Sequence, residues 1–161
     1  MKSFPDAMGI RVDGARVAVV AARFNAEVVE PLVDKALATL DAAGVSDDHR
    51  PVFRVPGAYE LPLAAKWLAE QGRCDGIVAL GAVIRGETPH FDFVCNEAAR
   101  GLNDVALTHG LPVGFGVITA DSDAQAMARA GGAVGNKGEE AALAVIEMVD
   151  LSRRLHRCLP Q

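Results

Sequence analysis

Gly76-Ile-Val-Ala-Leu-Gly-Ala-Val83, running on into Ile84-Arg-Gly-Glu-Thr-Pro-His90, is the stretch that decides the fold. Its first eight residues carry no polar side chain, and they end abruptly in turn residues. A short apolar run without alternation is the signature of a strand covered on both faces, as in a parallel sheet. Thr88-Pro89 then announces a helix, with threonine as N-cap and proline, which has no N–H to satisfy, at the first helical position. Phe91, Val94, Cys95, Ala98, Leu102 and Val105 follow at three- and four-residue steps as far as Gly110, which is one face of a helix. Strand, short loop and capped helix together make the repeating unit of an α/β domain.

Working outward, three similar strands appear. They are Arg16-Val-Ala-Val-Val-Ala-Ala22, Val52-Phe-Arg-Val55 and Pro112-Val-Gly-Phe-Gly-Val-Ile-Thr119. Helical patterns alternate with them. The first is predicted to start just before Pro31, with 25–30 as the loop leading in, and to stop at Gly44. The second runs from about Pro62 to Gly72. Ser122 and Gln125 form a capping-box signature for a short helix closed by Gly131-Gly132. A last helix spans about Gly138 to Leu155, and its apolar middle demands burial on more than one face. The pattern βαβαβαβαα predicts a single flavodoxin-like domain, a three-layer α/β/α sandwich on a four-stranded parallel sheet, over residues 15–157. Residues 1–14 read as an extended N-terminal arm.

Composition narrows the functional classes. The chain has 161 residues, a formal net charge of -5 and 50% hydrophobic residues, but only 5% aromatic ones. A domain of about 150 residues buries roughly 70% of its unfolded surface, so it needs neither disulfide nor metal to fold. The longest basic run is Arg153-Arg154, which argues against nucleic-acid binding. No apolar stretch approaches the roughly 20 residues of a membrane span, and no signal-peptide pattern follows Lys2 and Asp6. A cytoplasmic protein is expected. Cys74, Cys95 and Cys158 are widely spaced and read as free thiols.

In doubly wound sheets, ligands gather beyond the carboxyl ends of the strands. The distinctive residues of this chain fall there: Arg23-Phe24-Asn25, Val55-Pro-Gly-Ala-Tyr-Glu60, Gly81 to His90 and Thr119-Ala-Asp121. Each alone is an ordinary βα loop. Gly86-Glu87-Thr88 opens a helix whose free N–H groups favour an anion, a phosphate among them, although a plain N-cap by Thr88 explains the same residues. Neither a P-loop nor GxGxxG is present. His90 is placed to move protons near neutral pH or is simply exposed; His49, His109 and His156 read as structural or exposed. With eight aromatic residues in the chain, Phe24 and Tyr59 on one rim read as a platform for a flat ring, although core packing is the commoner use of a phenylalanine, and Phe115 serves either that ring or the core. Arg129 and Lys137 flank a glycine-rich turn, as surface charge or as partners for an anionic substrate.

Together these segments resemble the 6,7-dimethyl-8-ribityllumazine synthase family of riboflavin biosynthesis. The resemblance rests on Arg23-Phe-Asn25, Val55-Pro-Gly-Ala-Tyr-Glu-Leu-Pro62, the long block Leu80 to Gly101, Pro112 to Thr119, Gln125 to Ala130 and Gly135-Asn-Lys-Gly138, in order over about residues 15–152. It implies a transferase that condenses 5-amino-6-(D-ribitylamino)uracil with 3,4-dihydroxy-2-butanone 4-phosphate, with no metal and no organic cofactor. It implies that Phe24 stacks on the pyrimidine, that Ala58, Tyr59 and Glu60 with Ala82, Val83 and Ile84 hold the uracil and ribityl groups, and that Phe115 closes the pocket from a neighbouring subunit. Glu87, Thr88 and Arg129 match the phosphate positions, Lys137 a basic position beside them, and His90 the proton-transfer residue. It further implies homopentamers, free or assembled into sixty-subunit shells, with sites at subunit interfaces. Two departures stand out: Tyr59 replaces a common phenylalanine, and residues 1–14 match nothing. The alternative on the same scaffold is a lumazine- or flavin-binding paralogue without activity.

Overall fold

The computed structural model describes residues 9–159 of the chain. Four strands, β1 (Val17–Ala22), β2 (Val52–Val55), β3 (Gly76–Ile84) and β4 (Val113–Ala120), form one parallel sheet in the order β2-β1-β3-β4. Every residue of β1 and the first seven of β3 are buried, which is why these central strands read as unbroken apolar runs.

Successive side chains point to opposite faces, so each strand feeds two cores. Val17, Val19, Val78, Leu80 and Ile118 meet helices α1 (Ala26–Ala42) and α5 (Lys137–Cys158). Val20, Ala22, Ile77, Ala79 and Val117 meet α2 (Leu61–Glu70) and α3 (His90–His109). The result is the flavodoxin-like three-layer sandwich read from the sequence. Its chain order reverses between β1 and β3, and a crevice opens at such a point.

Away from the strand exits, the structure differs from the sequence reading in three places. Helix α1 begins at Ala26, so 25–30 is not a loop and Pro31 lies inside the helix. An internal proline costs about 3 kcal/mol through a lost hydrogen bond and a ring clash. Here Val28, Val29, Leu32 and Val33 on either side of it are all buried, and that packing offsets the cost. Secondly, the turn after α4 (Asp123–Ala128) is a small antiparallel pair, β5 (Ala130–Gly132) with β6 (Gly135–Asn136), where the sequence offered only a glycine-rich loop. Thirdly, α5 is longer than expected at its C-terminal end, reaching Cys158.

Residues 1–8 of the expected arm lie outside the described residues. Val12 and Ala15 are fully buried, and the Val12 N–H donates to the Ala43 carbonyl at 2.8 Å, so the chain before β1 is fastened to the end of α1.

Candidate active site

The crevice at the β1/β3 reversal is built by three strand exits. Beyond β1, the N–H groups of Arg23 and Phe24 donate to Val55 and Pro56 carbonyls at 2.8 and 3.1 Å, prolonging the ladder and holding Phe24 at the sheet's end. Asn25 then turns the chain with φ 59°, the only left-handed non-glycine residue among the described residues. Asparagine tolerates that region better than most side chains. Its Nδ2 donates to the Ala82 carbonyl at 2.9 Å, tying the exit of β1 to the exit of β3.

Beyond β2, the chain makes a single 3-10 turn over Ala58–Glu60, and Glu60 Oε2 accepts from the Gly57 N–H at 3.0 Å. This fixes the Glu60 carboxylate at the rim. Beyond β3 come Ala82, Val83 and Ile84, then the loop that leads into α3. Thr88 Oγ1 stands 3.5 Å from the His90 N–H, at the limit of a hydrogen bond. The helix proper starts at His90, one residue later than the sequence reading, with Pro89 in the capping position.

These exits enclose a cleft of about 510 Å³. Phe24, Ala58, Tyr59 and Glu60 line it from the first two exits, Ala82, Val83 and Ile84 from the third, and Thr88 and His90 from the start of α3. Apolar walls with a few converging polar groups suit a flat, partly polar small molecule. Phe24 is 70% and Tyr59 59% exposed, so both rings are free to stack on something beyond this chain's own core. Phe91 and Phe93 also line the cleft.

The remaining candidates lie elsewhere on the chain. Glu87 is exposed in the loop before α3 and does not line the cleft. Phe115 is 46% exposed on β4, the outer strand of the sheet, opposite Ala79. Arg129 and Lys137 are brought together at the ends of the small β5–β6 pair, where the Lys137 N–H donates to the Arg129 carbonyl at 2.9 Å. Lys137 Nζ pairs with Glu140 at 2.6 Å. Arg129 donates to the Gln125 carbonyl at 2.9 Å and has no carboxylate partner among the described residues, so its charge is uncompensated.

Sequence reasoning missed two residues that shape this region. Asn136 is a buried polar side chain: its Oδ1 accepts from Gly138 and Glu139 N–H at 2.8 and 3.1 Å, capping α5, and its Nδ2 donates to the Pro31 carbonyl at 3.1 Å. It pins the turn that carries Arg129 and Lys137. Arg85, at the end of β3, donates from Nε to Asp121 Oδ1 at 2.8 Å and lies over the Phe91 ring at 4.2 Å. The Asp121 hydrogen bond comes first in holding its guanidinium more firmly protonated than usual. Among the described residues, no three His, Cys, Asp or Glu side chains gather to hold a metal.

The geometry therefore places a ring-sized, aromatic-rimmed cleft with a histidine at one end where the doubly wound sheet reverses. A family model described as 6,7-dimethyl-8-ribityllumazine synthase matches residues 14–153, which spans all four strands, the cleft and the Arg129–Lys137 turn. With most of its length matched, the chain belongs to the 6,7-dimethyl-8-ribityllumazine synthase family of riboflavin biosynthesis.

Proposed function

We propose that this chain condenses 5-amino-6-(D-ribitylamino)uracil with 3,4-dihydroxy-2-butanone 4-phosphate, releasing 6,7-dimethyl-8-ribityllumazine, inorganic phosphate and water. The observation that carries the reading is the gathering of Phe24, Glu60, Ala82 to Ile84, Thr88 and His90 around one cleft of suitable size.

In this reading the pyrimidine stacks on Phe24 and its ribityl chain runs along the Ala58–Glu60 turn and the end of β3. The ring's primary amine attacks the ketone, and loss of water leaves an imine. A proton then leaves the carbon next to the imine, and the C–O bond to phosphate breaks as the electron pair moves toward it. Tautomerisation restores a carbonyl, the ribityl-bearing nitrogen attacks it, and a second water departs as the ring closes. His90 is the exposed base at the cleft's end and carries the proton between these steps. General acid–base help of this kind contributes roughly 10²- to 10⁴-fold, and much of the rest comes from holding two substrates together.

The phosphate is held by the Glu87–Thr88 segment at the start of α3 and by Arg129, with Lys137 beside it. Phe115, Arg129 and Lys137 do not line this chain's own cleft; in line with the family likeness, they serve a neighbouring subunit's site in a homo-oligomer built on pentamers.

Mixing the purified protein with both substrates and following lumazine fluorescence tests the reading. Product that accumulates with release of one phosphate per lumazine is expected. A yellow protein that holds riboflavin tightly and makes no lumazine overturns it in favour of the binding paralogue. Within an active protein, Arg129→Ala is expected to raise the apparent KM for the phosphate-bearing substrate about tenfold, since a hydrogen bond to a charged group contributes about 1.5–3 kcal/mol.

A further inference from the structure

Three elements end on the guanidinium of Arg85. The residue itself follows directly on β3. The exit of β4 contributes Asp121, whose Oδ1 accepts from Nε at 2.8 Å, and α3 contributes Asp92, with Oδ1 at 3.5 Å from Nη1, and Phe91, whose ring centre is 4.2 Å from Cζ. The Asp92 N–H donates to the Pro89 carbonyl at 3.0 Å, closing the first turn of α3, and that turn carries His90. On the other side, the Asp121 N–H donates to Gln125 Oε1 at 2.9 Å, and the Gln125 carbonyl accepts from Arg129 Nη1 at 2.9 Å. One continuous series of contacts thus joins the turn of His90 to the guanidinium of Arg129, and Arg85 is its centre.

Stability does not account for this arrangement. The side chains of Arg85, Asp92 and Asp121 are 44%, 55% and 64% exposed, and ion pairs that open to water contribute little. What a planar guanidinium gains from two carboxylates and a ring face is a fixed orientation. Arg85 itself does not line the cleft.

We propose that Arg85 is a positioning residue: it holds the start of α3, with His90, in register with α4 and Arg129, and so sets proton transfer in this chain's cleft and, through Arg129, phosphate binding in the neighbouring subunit's, without contacting the pyrimidine. This rests on the synthase reading above.

Arg85→Ala, Arg85→Lys and Asp121→Asn in the full chain test it, by steady-state kinetics in both substrates and by inhibition with inorganic phosphate. The expected result is a kcat lowered about tenfold or more, since small misplacements of reacting groups are costly, together with an apparent KM for the phosphate-bearing substrate and a phosphate inhibition constant each raised about tenfold. The KM for the pyrimidine stays within about twofold. Arg85→Lys keeps the charge but not the fork and stays impaired, and Arg85→Ala combined with Asp121→Asn is no worse than Arg85→Ala alone. Folded variants whose kcat and KM values all match the unaltered chain overturn the proposal, as does an equal rise in both KM values. Should Arg85→Ala fail to fold, Asp121→Asn carries the same test from an exposed position. Absence of lumazine from the unaltered chain counts against the synthase reading alone. The positioning role is then read from the His90 imidazole resonance by NMR, which moves in Arg85→Lys if Arg85 sets the turn and stays in place if it does not.

Discussion

The two faces of the sheet are built differently. On the α1/α5 face, the helices come close enough that side chains are excluded: a Cβ on Gly138 would overlap the Leu32 carbonyl, and one on Gly114 would stand 2.5 Å from the Ala141 carbonyl. Leu32, Leu40, Ile118 and Ile146 beneath them are almost completely buried. On the α2/α3 face the core is smaller, and large apolar side chains remain in water: Trp67 at 57%, Phe93 at 69%, Leu107 at 75% and Phe115 at 46% exposure. Among the described residues, no aromatic side chain is buried in either core. One face therefore holds the fold together with aliphatic packing. The other carries the cleft and the aromatic surface, and leaves a large apolar area exposed.

This contrast is open to test by substitutions that separate chemistry from stability. The largest effect is expected at His90, which is exposed and lies on the open face. His90→Ala is expected to slow turnover by about 10²- to 10⁴-fold, roughly 3–5 kcal/mol of transition-state stabilisation, while the urea midpoint stays unchanged. A large fall in the urea midpoint of this variant would show that the start of α3 is structural. On the closed face the order reverses. Leu32→Ala should cost about 2–5 kcal/mol of unfolding free energy with little change in KM among molecules that remain folded. Gly138→Ala should cost about 1–3 kcal/mol, because the new methyl meets backbone and not a flexible side chain. Urea unfolding at constant m-value reads both, and near-zero changes would mean that α1 and α5 are not closely packed.

Strands and helix ends were the more legible from sequence, and the reason is physical. Apolar runs and helix stops are local: Gly44, Gly72 and Gly110 were read as helix ends, and all three adopt the left-handed conformation that ends helices, with φ of 89°, 63° and 58°. The cleft was legible for a related reason, since a parallel sheet puts every strand exit on one rim and the motif residues follow the strands. What escaped is what depends on neighbours in space. Pro31 signalled a helix start, yet burial of Val28 and Val29 carries α1 back past it. Arg85 and Asp121 are 36 positions apart, and only the β3–β4 pairing sets them side by side. The β5–β6 pair is too short and too rich in glycine to leave a pattern. Phe115, Arg129 and Lys137 carried the same family likeness as the cleft residues, but no local signal tells which chain's cleft a residue faces.

Asn25 is where the two faces meet, and it gives the finest test. It leaves β1 between them, and two features were superposed in one residue: a left-handed backbone and a side-chain bond to the Ala82 carbonyl at 2.9 Å. Glycine and alanine separate the two. Asn25→Gly keeps the backbone conformation at no steric cost but loses the bond, which should lower stability by about 0.5–1.5 kcal/mol. Asn25→Ala loses the bond and also strains φ, adding about 1 kcal/mol more. If both variants lose the same amount, the backbone conformation is not fixed in the native chain and the exit of β1 is free to relax. A gap between them, with glycine the milder, means that the turn is held in place by the sheet. In that case the loss of the Ala82 bond should appear mainly as a raised KM for the pyrimidine, because the bond ties the exit of β1, next to Phe24, to the exit of β3.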